Sequence, residues 1–512
     1  MTAEERQKGV KTTMKKRLQR LCAGTLAALL LLCAAPVSAG AAGRFADVPA
    51  GYWAAAEIER AVELGLFQGE TATRFGVGHQ MTRGAFAVVL CRFFGWELVK
   101  PAQGTYTDVQ DTGAWYYSAV ETAYAHGAIT RQTETFRPGD AITREEMAVM
   151  LVRALGYGTI AGLAQELPMP FTDVRTNAGY IAMAYELGLV NGTSATTFSP
   201  DRTATREQTA VILMRLYDKL HRAEPERVGI ISSEMETVGH CDVAAVTAGQ
   251  LIFNGTVQVA SVKEESALSA AAAAREAGAT VLLHVTGGTF ALKGNAKDTA
   301  AALAAAVDKG EYDGLFLDIP KLKEPAHKKA LTALVKETDR VLGDKLLYVA
   351  AEAPAWQGTS YTGYDYRELG AAADRLALRV AAYEKKNGSF PTAPLEPLEE
   401  VYYALGELRE LVPEEKLSLM VTTTGAAWKS GKRAGAVQGK ELDAMLASAD
   451  TEVYYSSRYA CSYLTRKEGS GQLVVWYLDR EALEQRIRMA GFFDVDQICY
   501  SDLASLSDTL LG

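Results

Sequence analysis

The sequence predicts a multidomain protein: an all-α bundle of three repeats with pseudo-threefold symmetry, followed by an α/β (β/α)8 (TIM) barrel. Two observations carry that expectation. Short signatures recur at steps of 61 and 62 residues in the first half, the mark of a repeat array. In the second half, β-rich runs alternate with helical stretches across residues 226–512, which suits eight parallel strands each followed by a helix. Composition agrees, since 48% of the 512 residues are hydrophobic and 22% charged, which excludes a disordered or collagen-like chain. A net charge of -9 speaks against a nucleic-acid partner held by phosphate neutralisation, and six cysteines are too few for a disulfide scaffold.

The first element is a secretory signal over residues 1–39. Lys15, Lys16, Arg17 and Arg20 precede the apolar run 21–35, which ends in Pro36-Val37-Ser38-Ala39. A basic start, a short apolar stretch and a small-x-small site define such a signal, with cleavage expected after Ala39. An uncleaved anchor is the alternative, but the run falls short of the ~20 residues that span a bilayer. No later segment is long and apolar enough to span, so the mature chain is expected to be exported and soluble. Removing the segment, with its seven basic and two acidic side chains, takes the charge from -9 to -14. Cys22 and Cys33 leave with it, while Cys91, Cys241, Cys461 and Cys499 read as buried free thiols. No metal-ligand spacing is present and no cofactor is expected.

The repeats follow at 44–100, 105–165 and 170–220. Phe45-Ala46-Asp47-Val48 recurs as Tyr106-Thr107-Asp108-Val109 and Phe171-Thr172-Asp173-Val174. Thr82-Arg83 recurs as Thr143-Arg144 and Thr205-Arg206, and each copy closes a helical stretch on a glycine, Gly65, Gly127 or Gly188. Thr143 with Glu146, and Thr205 with Gln208, are capping boxes that satisfy orphan donors at a helix start; Ala85 leaves the first cap half formed. One helix pair of this size cannot bury its own apolar face, but three stacked copies can.

These residues resemble the S-layer homology (SLH) domain, in its usual set of three. The resemblance implies an exported protein docked on secondary cell-wall polysaccharide. It assigns the grooves to Arg83, Arg144 and Arg206, to Asp47, Asp108 and Asp173, and to Trp53 and Trp115. The chemistry is consistent, because arginine presents a planar fork of donors to carboxylate or phosphate and a Trp face suits sugar C–H groups. The alternative is that each arginine only closes its repeat through a neighbouring acid. Two departures stand out: the first copy lacks the acidic residue after Thr-Arg, and the third lacks the Trp.

A polar, Pro-bearing junction at 222–226 leads into the barrel. Strand runs are read at 228–231, 281–285, 314–319, 346–350, 376–382, 417–422, 473–476 and 497–500. Chemistry in such barrels sits at C-terminal strand ends, which points to His284, Asp313, Asp318, Glu352, Glu384, Trp428 and Trp476. Several stretches, among them Leu283-His284-Val285-Thr286-Gly287-Gly288, Asp313-Gly314-Leu315-Phe316-Leu317-Asp318-Ile319-Pro320 and Ala382-Tyr383-Glu384, resemble glycoside hydrolase family 18, in its spore-wall and peptidoglycan-associated branch. That family works by substrate-assisted catalysis with one Glu as general acid. In register, Asp313 and Asp318 match two acids of the motif, Phe316 replaces another, and Pro320 occupies the catalytic Glu position. Proline has no proton to give. The reading is a barrel that no longer cuts but can hold peptidoglycan or another N-acetylglucosamine glycan through Asp318, Tyr383, Trp428 and Trp476. The rival is a wall-bound hydrolase with its acid relocated to Glu352 or Glu384.

Overall fold

The computed structural model describes residues 44–166, 169–232, 241–261, 264–356, 359–380, 392, 394, 396–469 and 471–503. The expected signal segment, Tyr383 and Glu384 lie outside the described residues. Among the described residues no helix is long and apolar enough to cross a membrane.

Each repeat contributes two helices joined by a loop. They are α1 (Ala55–Glu63) and α2 (Arg83–Phe94); α3 (Tyr117–Ala125) and α4 (Arg144–Ala154), trailed by α5 (Gly158–Leu163); then α6 (Ala178–Glu186) and α7 (Arg206–Leu220). Thr143 and Glu146 form the full capping box of α4, while Thr82 accepts only the Ala85 N–H at the start of α2. The fold gathers into two compact units: α1 and its loop with the opening of α7, and all the rest. In the larger unit, antiparallel bridges Thr82↔Ala141 and Thr143↔Thr203 tie successive Thr-Arg segments together.

The second half runs β1 (Glu226–Ser232), β2 (Val243–Phe253), β3 (Val257–Ser261), α8 (Glu264–Glu276), β4 (Thr280–Thr286), α9 (Ala296–Lys309) and β5 (Gly314–Asp318). It continues with α10 (Pro325–Leu342), β6 (Leu346–Glu352), α11 (Tyr366–Ala372), β7 (Arg375–Arg379), α12 (Leu398–Leu408) and β8 (Leu417–Val421). After β8 come β9 (Gly425–Lys429), β10 (Lys432–Val437), α13 (Gly439–Leu446), β11 (Thr451–Ser456), β12 (Cys461–Glu468) and β13 (Gly471–Tyr477). The last elements among the described residues are α14 (Arg480–Phe492) and β14 (Gln497–Tyr500). Strands β1, β2, β4, β5, β6, β7, β8 and β14 pair in parallel, and β1 pairs with both β2 and β14, so the barrel closes. β3 adds an antiparallel hairpin to β2.

Alternation along the strands turns one set of side chains inward. Val228, Ala245, Leu282, Phe316, Tyr348, Ala377, Met420 and Cys499 fill the interior, so the barrel is a packed core and not a pore. Phe316 is fully buried there, edge-on to His284 at 5.4 Å and Tyr348 at 6.1 Å. The run at 473–476 corrects the expectation: β13 belongs to a second, five-stranded antiparallel sheet ordered β10-β9-β13-β12-β11. The barrel's second strand is instead β2, which the pattern of apolar runs does not single out. Among the cysteines, Cys91, Cys461 and Cys499 are free and buried, and Cys241 is free but only half-buried.

Candidate functional site

The barrel mouth is built by the ends of three neighbouring strands. Asp318 closes β5, Glu352 closes β6 and Arg379 closes β7, with Asp318 opposite Ala350 and Glu352 opposite Arg379 in register. Matching parity turns all three inward. Arg379 Nη2 donates to Asp318 Oδ2 at 2.6 Å, and its Nη1 donates to Glu352 Oε1 at 3.2 Å. Glu352 also accepts the Lys321 backbone N–H at 2.8 Å and a short hydrogen bond from the Tyr364 hydroxyl. One guanidinium therefore holds both carboxylates across three strands.

The electrostatics follow from that geometry. Burial pushes the Asp318 carboxyl up, but the His284 ring, 3.8 Å away, and the Arg379 charge outweigh it and hold it down at about 2. Arg379 is pushed above its ordinary range, because Asp318 and Glu352 together overcome the burial that would lower it. His284 is itself oriented by Thr247, 2.8 Å from its Nδ1. Asp313 stands at the other end of the fourth strand, exposed, where its Oδ2 accepts the Val281 N–H at 2.8 Å; it links two strands and is not at the mouth.

Trp428 and Trp476 require a correction of place. They lie on β9 and β13 of the second sheet and are 3% and 6% exposed, because Tyr463 and Tyr459 cover Trp476 and the Arg433 guanidinium lies over Trp428. Neither presents a ring face to solvent. One carboxyl at the mouth escaped the sequence reading. Glu396, before α12, is buried, accepts the Thr422 N–H at 2.6 Å and lines a small cavity with Thr424, Trp476 and Tyr477. Burial pushes it upward despite Thr422, Arg486 and Arg379. No sequence signal marks it, since its surroundings come from three separate segments.

In the repeats, one contact occurs three times in cyclic permutation. Arg83 Nε donates to the Phe136 carbonyl at 2.7 Å, Arg144 Nε to Phe198 at 2.9 Å, and Arg206 Nε to Phe75 at 3.0 Å. Each guanidinium also lies over the ring whose carbonyl it binds. The aspartates brace the same loops: Asp47 accepts from the Phe75, Gly76 and Val77 N–H groups, Asp108 from Phe136 and Arg137, and Asp173 from Phe198 and Ser199. Trp53 and Trp115 are 57% and 66% exposed.

The three arginines differ in charge balance. Arg83 pairs with Glu146 at 2.7 Å, and Arg206 lies 3.9 Å from Glu70. Among the described residues, Arg144 has no carboxylate at ion-pair distance; its Nη2 donates to the Asn191 carbonyl at 2.6 Å. The repeats explain part of this, because the position of Glu146 in the second copy is Gln208 in the third.

A helical repeat of surface-anchoring type thus precedes a barrel of glycosidase type. Comparison with known families agrees: residues 221–490 match the model for glycosyl hydrolases family 18, and 44–87, 105–148 and 170–210 match the S-layer homology domain. The chain belongs to glycosyl hydrolase family 18, carries three S-layer homology domains ahead of the barrel, and is a secreted, cell-surface, wall-associated protein. It is 32% identical over 186 residues to an endoglucanase of Bacillus sp. (strain KSM-635), covering 34% of this chain and 19% of that one. It is 28% identical over 213 residues to the S-layer protein sap of Bacillus anthracis, covering 41% and 25%. A cellulosome-anchoring protein of Acetivibrio thermocellus is 36% identical over 137 residues, covering 26% and 30%. The chain thus spans less than a third of each of these relatives. Similar solved structures include a chitinase from Chromobacterium violaceum (16% identity, TM-score 0.47, 56% of this chain and 96% of that one). Another is the Bacillus megaterium spore cortex-lytic enzyme SleL (16%, TM-score 0.47, 65% and 80%).

Proposed function

We propose that the protein grips secondary cell-wall polysaccharide through its repeats and displays a family 18 barrel that does not hydrolyse glycan. The observation that carries this reading is Arg379, which ties up Asp318 and Glu352 at a mouth where Pro320 stands in the acid's position. Hydrolysis needs a proton on the leaving oxygen, and loss of general acid help typically costs about 10²–10⁴-fold. Asp318, held near 2, is ionised at neutral pH, and Glu352 is placed as an acceptor by three donors. The barrel then serves as a scaffold or a holder of an N-acetylglucosamine glycan such as peptidoglycan.

A wall-bound hydrolase remains the rival, and one observation favours it. Glu396 is a buried carboxyl pushed upward beside a cavity at the mouth, the setting a general acid requires. Incubating the full-length protein with chitooligosaccharide and with peptidoglycan decides between them. The proposal expects no new reducing ends. Product release that disappears in Glu352→Gln, Glu384→Gln or Glu396→Gln would overturn it and name the acid.

A further inference from the structure

The two edges of the five-stranded sheet are built differently. β10 carries Lys432 and Arg433 and breaks register between Arg433 and Gly435. Charge and a bulge are common means of keeping a free edge from pairing. β11, at the opposite edge, has no lysine, proline or bulge. It pairs with β12 without a register shift, and its Val453, Tyr454 and Tyr455 are 53%, 44% and 42% exposed. Tyr454 is also the outermost ring of a row. It stacks on its cross-strand neighbour Tyr463 at 5.2 Å, and Tyr463 meets its own neighbour Trp476 at 4.6 Å.

We propose that β11 pairs antiparallel with β11 of a second copy of this chain, about a twofold axis at Tyr454. The pairing joins two sheets into one and runs the aromatic row unbroken through both. Residues directly opposite in an antiparallel ladder share a face, so the axis must pass through a residue and not between two. With the axis at Tyr454, that ring meets its equivalent, Val453 meets Tyr455 on the helix-covered side, and Glu452 meets Ser456. No like charges are opposed. The same register sets Asp450 of each copy against Arg458 of the other, one complementary pair at either end. Both side chains are exposed, and among the described residues neither is in an ion pair. Moving the axis to Val453 or Tyr455 takes Tyr454 off it and interrupts the row. Wall anchoring holds copies on a common surface, and that raises their effective concentration for a contact of modest area.

Sedimentation of the full chain from micromolar to sub-millimolar concentration tests this. The wild type is expected to form a concentration-dependent dimer, and Tyr454→Lys, which sets two like charges on the axis, to stay monomeric with an unchanged circular dichroism spectrum. Asp450→Arg should weaken the dimer about tenfold, and adding Arg458→Asp should restore it. A wild type monomeric throughout, or a Tyr454→Lys variant that dimerises equally well, overturns the proposal. A double swap that fails to restore pairing overturns the register.

Discussion

Arg379 donates to Asp318 at 2.6 Å, an ion pair between the ends of the sixth and fourth barrel strands. It passes over the fifth strand, whose terminal Glu352 takes the other nitrogen of the same guanidinium. One oxygen of the acid that matches the family motif is thereby engaged from within the protein, while the other, Oδ1, has no hydrogen-bond partner among the described residues.

Asp318→Asn should therefore destabilise the protein by about 3 kcal/mol at neutral pH, the range for breaking a buried pair and leaving its partner behind. The sign follows from the depressed folded value of about 2, below the ordinary 3.8. A lowered carboxyl stabilises the fold fully above the ordinary value and loses that contribution as pH falls toward the folded one. The gap between wild type and variant in urea unfolding should stay constant from pH 7 to about 4 and then narrow. A gap absent at neutral pH would show that the pair contributes nothing.

The wall-binding contribution of the three arginines should be unequal. Arg83 and Arg144 make the same carbonyl bond and ring contact, so their alanine variants lose the same local packing. They differ in that Glu146, shared with Arg137, partly balances the Arg83 charge, whereas Arg144 has no carboxylate at ion-pair distance among the described residues and donates to the Asn191 carbonyl instead. Arg144→Ala should lower affinity for purified polysaccharide-bearing wall about tenfold, a charge-assisted contact, and Arg83→Ala clearly less. Co-sedimentation at rising salt reads both; equal losses would remove charge availability as the cause.

How far the sequence shows all this depends on which interactions are local. The repeats are legible because each copy restates the same short contacts: an aspartate bracing a loop, a threonine capping a helix. The strand β2 is not, because Ala244, Ala245, Ala248 and Gly249 give it little β character, and its pairing with β4 shifts between Thr247 and Gly249. The run 473–476 misleads for the converse reason. A strand packed on α13 and a strand inside a barrel have the same apolar signature. Pro320 is visible to motif comparison, yet Arg379 is not, since nothing local marks an arginine whose partners sit on two other strands.

The loop-bracing aspartates give a different pH signature. Asp47 accepts three backbone N–H groups; although partial burial opposes it, these bonds hold its carboxyl below the ordinary value. Asp47→Ala should lower the melting temperature of the repeats by a few degrees, since three orphaned donors must find water. The loss should fade as pH falls below the ordinary 3.8 and through the lowered folded value, where the wild-type carboxylate is itself protonated. Thermal melts at pH 7 and in steps down through the acid range below 3.8 check both halves, and a deficit constant to the acid limit would assign the effect to packing.

Placing a carboxyl at position 320 should not by itself produce hydrolysis. Pro320→Glu would supply a carboxyl in the motif's register, but Asp318 would still be held by Arg379, and Phe316 would still fill the barrel beneath it. Substrate-assisted cleavage needs an aspartate free to orient the sugar's acetamido group as well as an acid to protonate the leaving oxygen. Pro320→Glu should therefore release no more product from chitooligosaccharide than the wild type does, measured by chromatography of reducing sugars. Pairing it with Arg379→Ala frees Asp318 and is the combination in which any gain is expected. Turnover from Pro320→Glu alone would mean that the aspartate is available after all, and that a single substitution separates this barrel from a working enzyme.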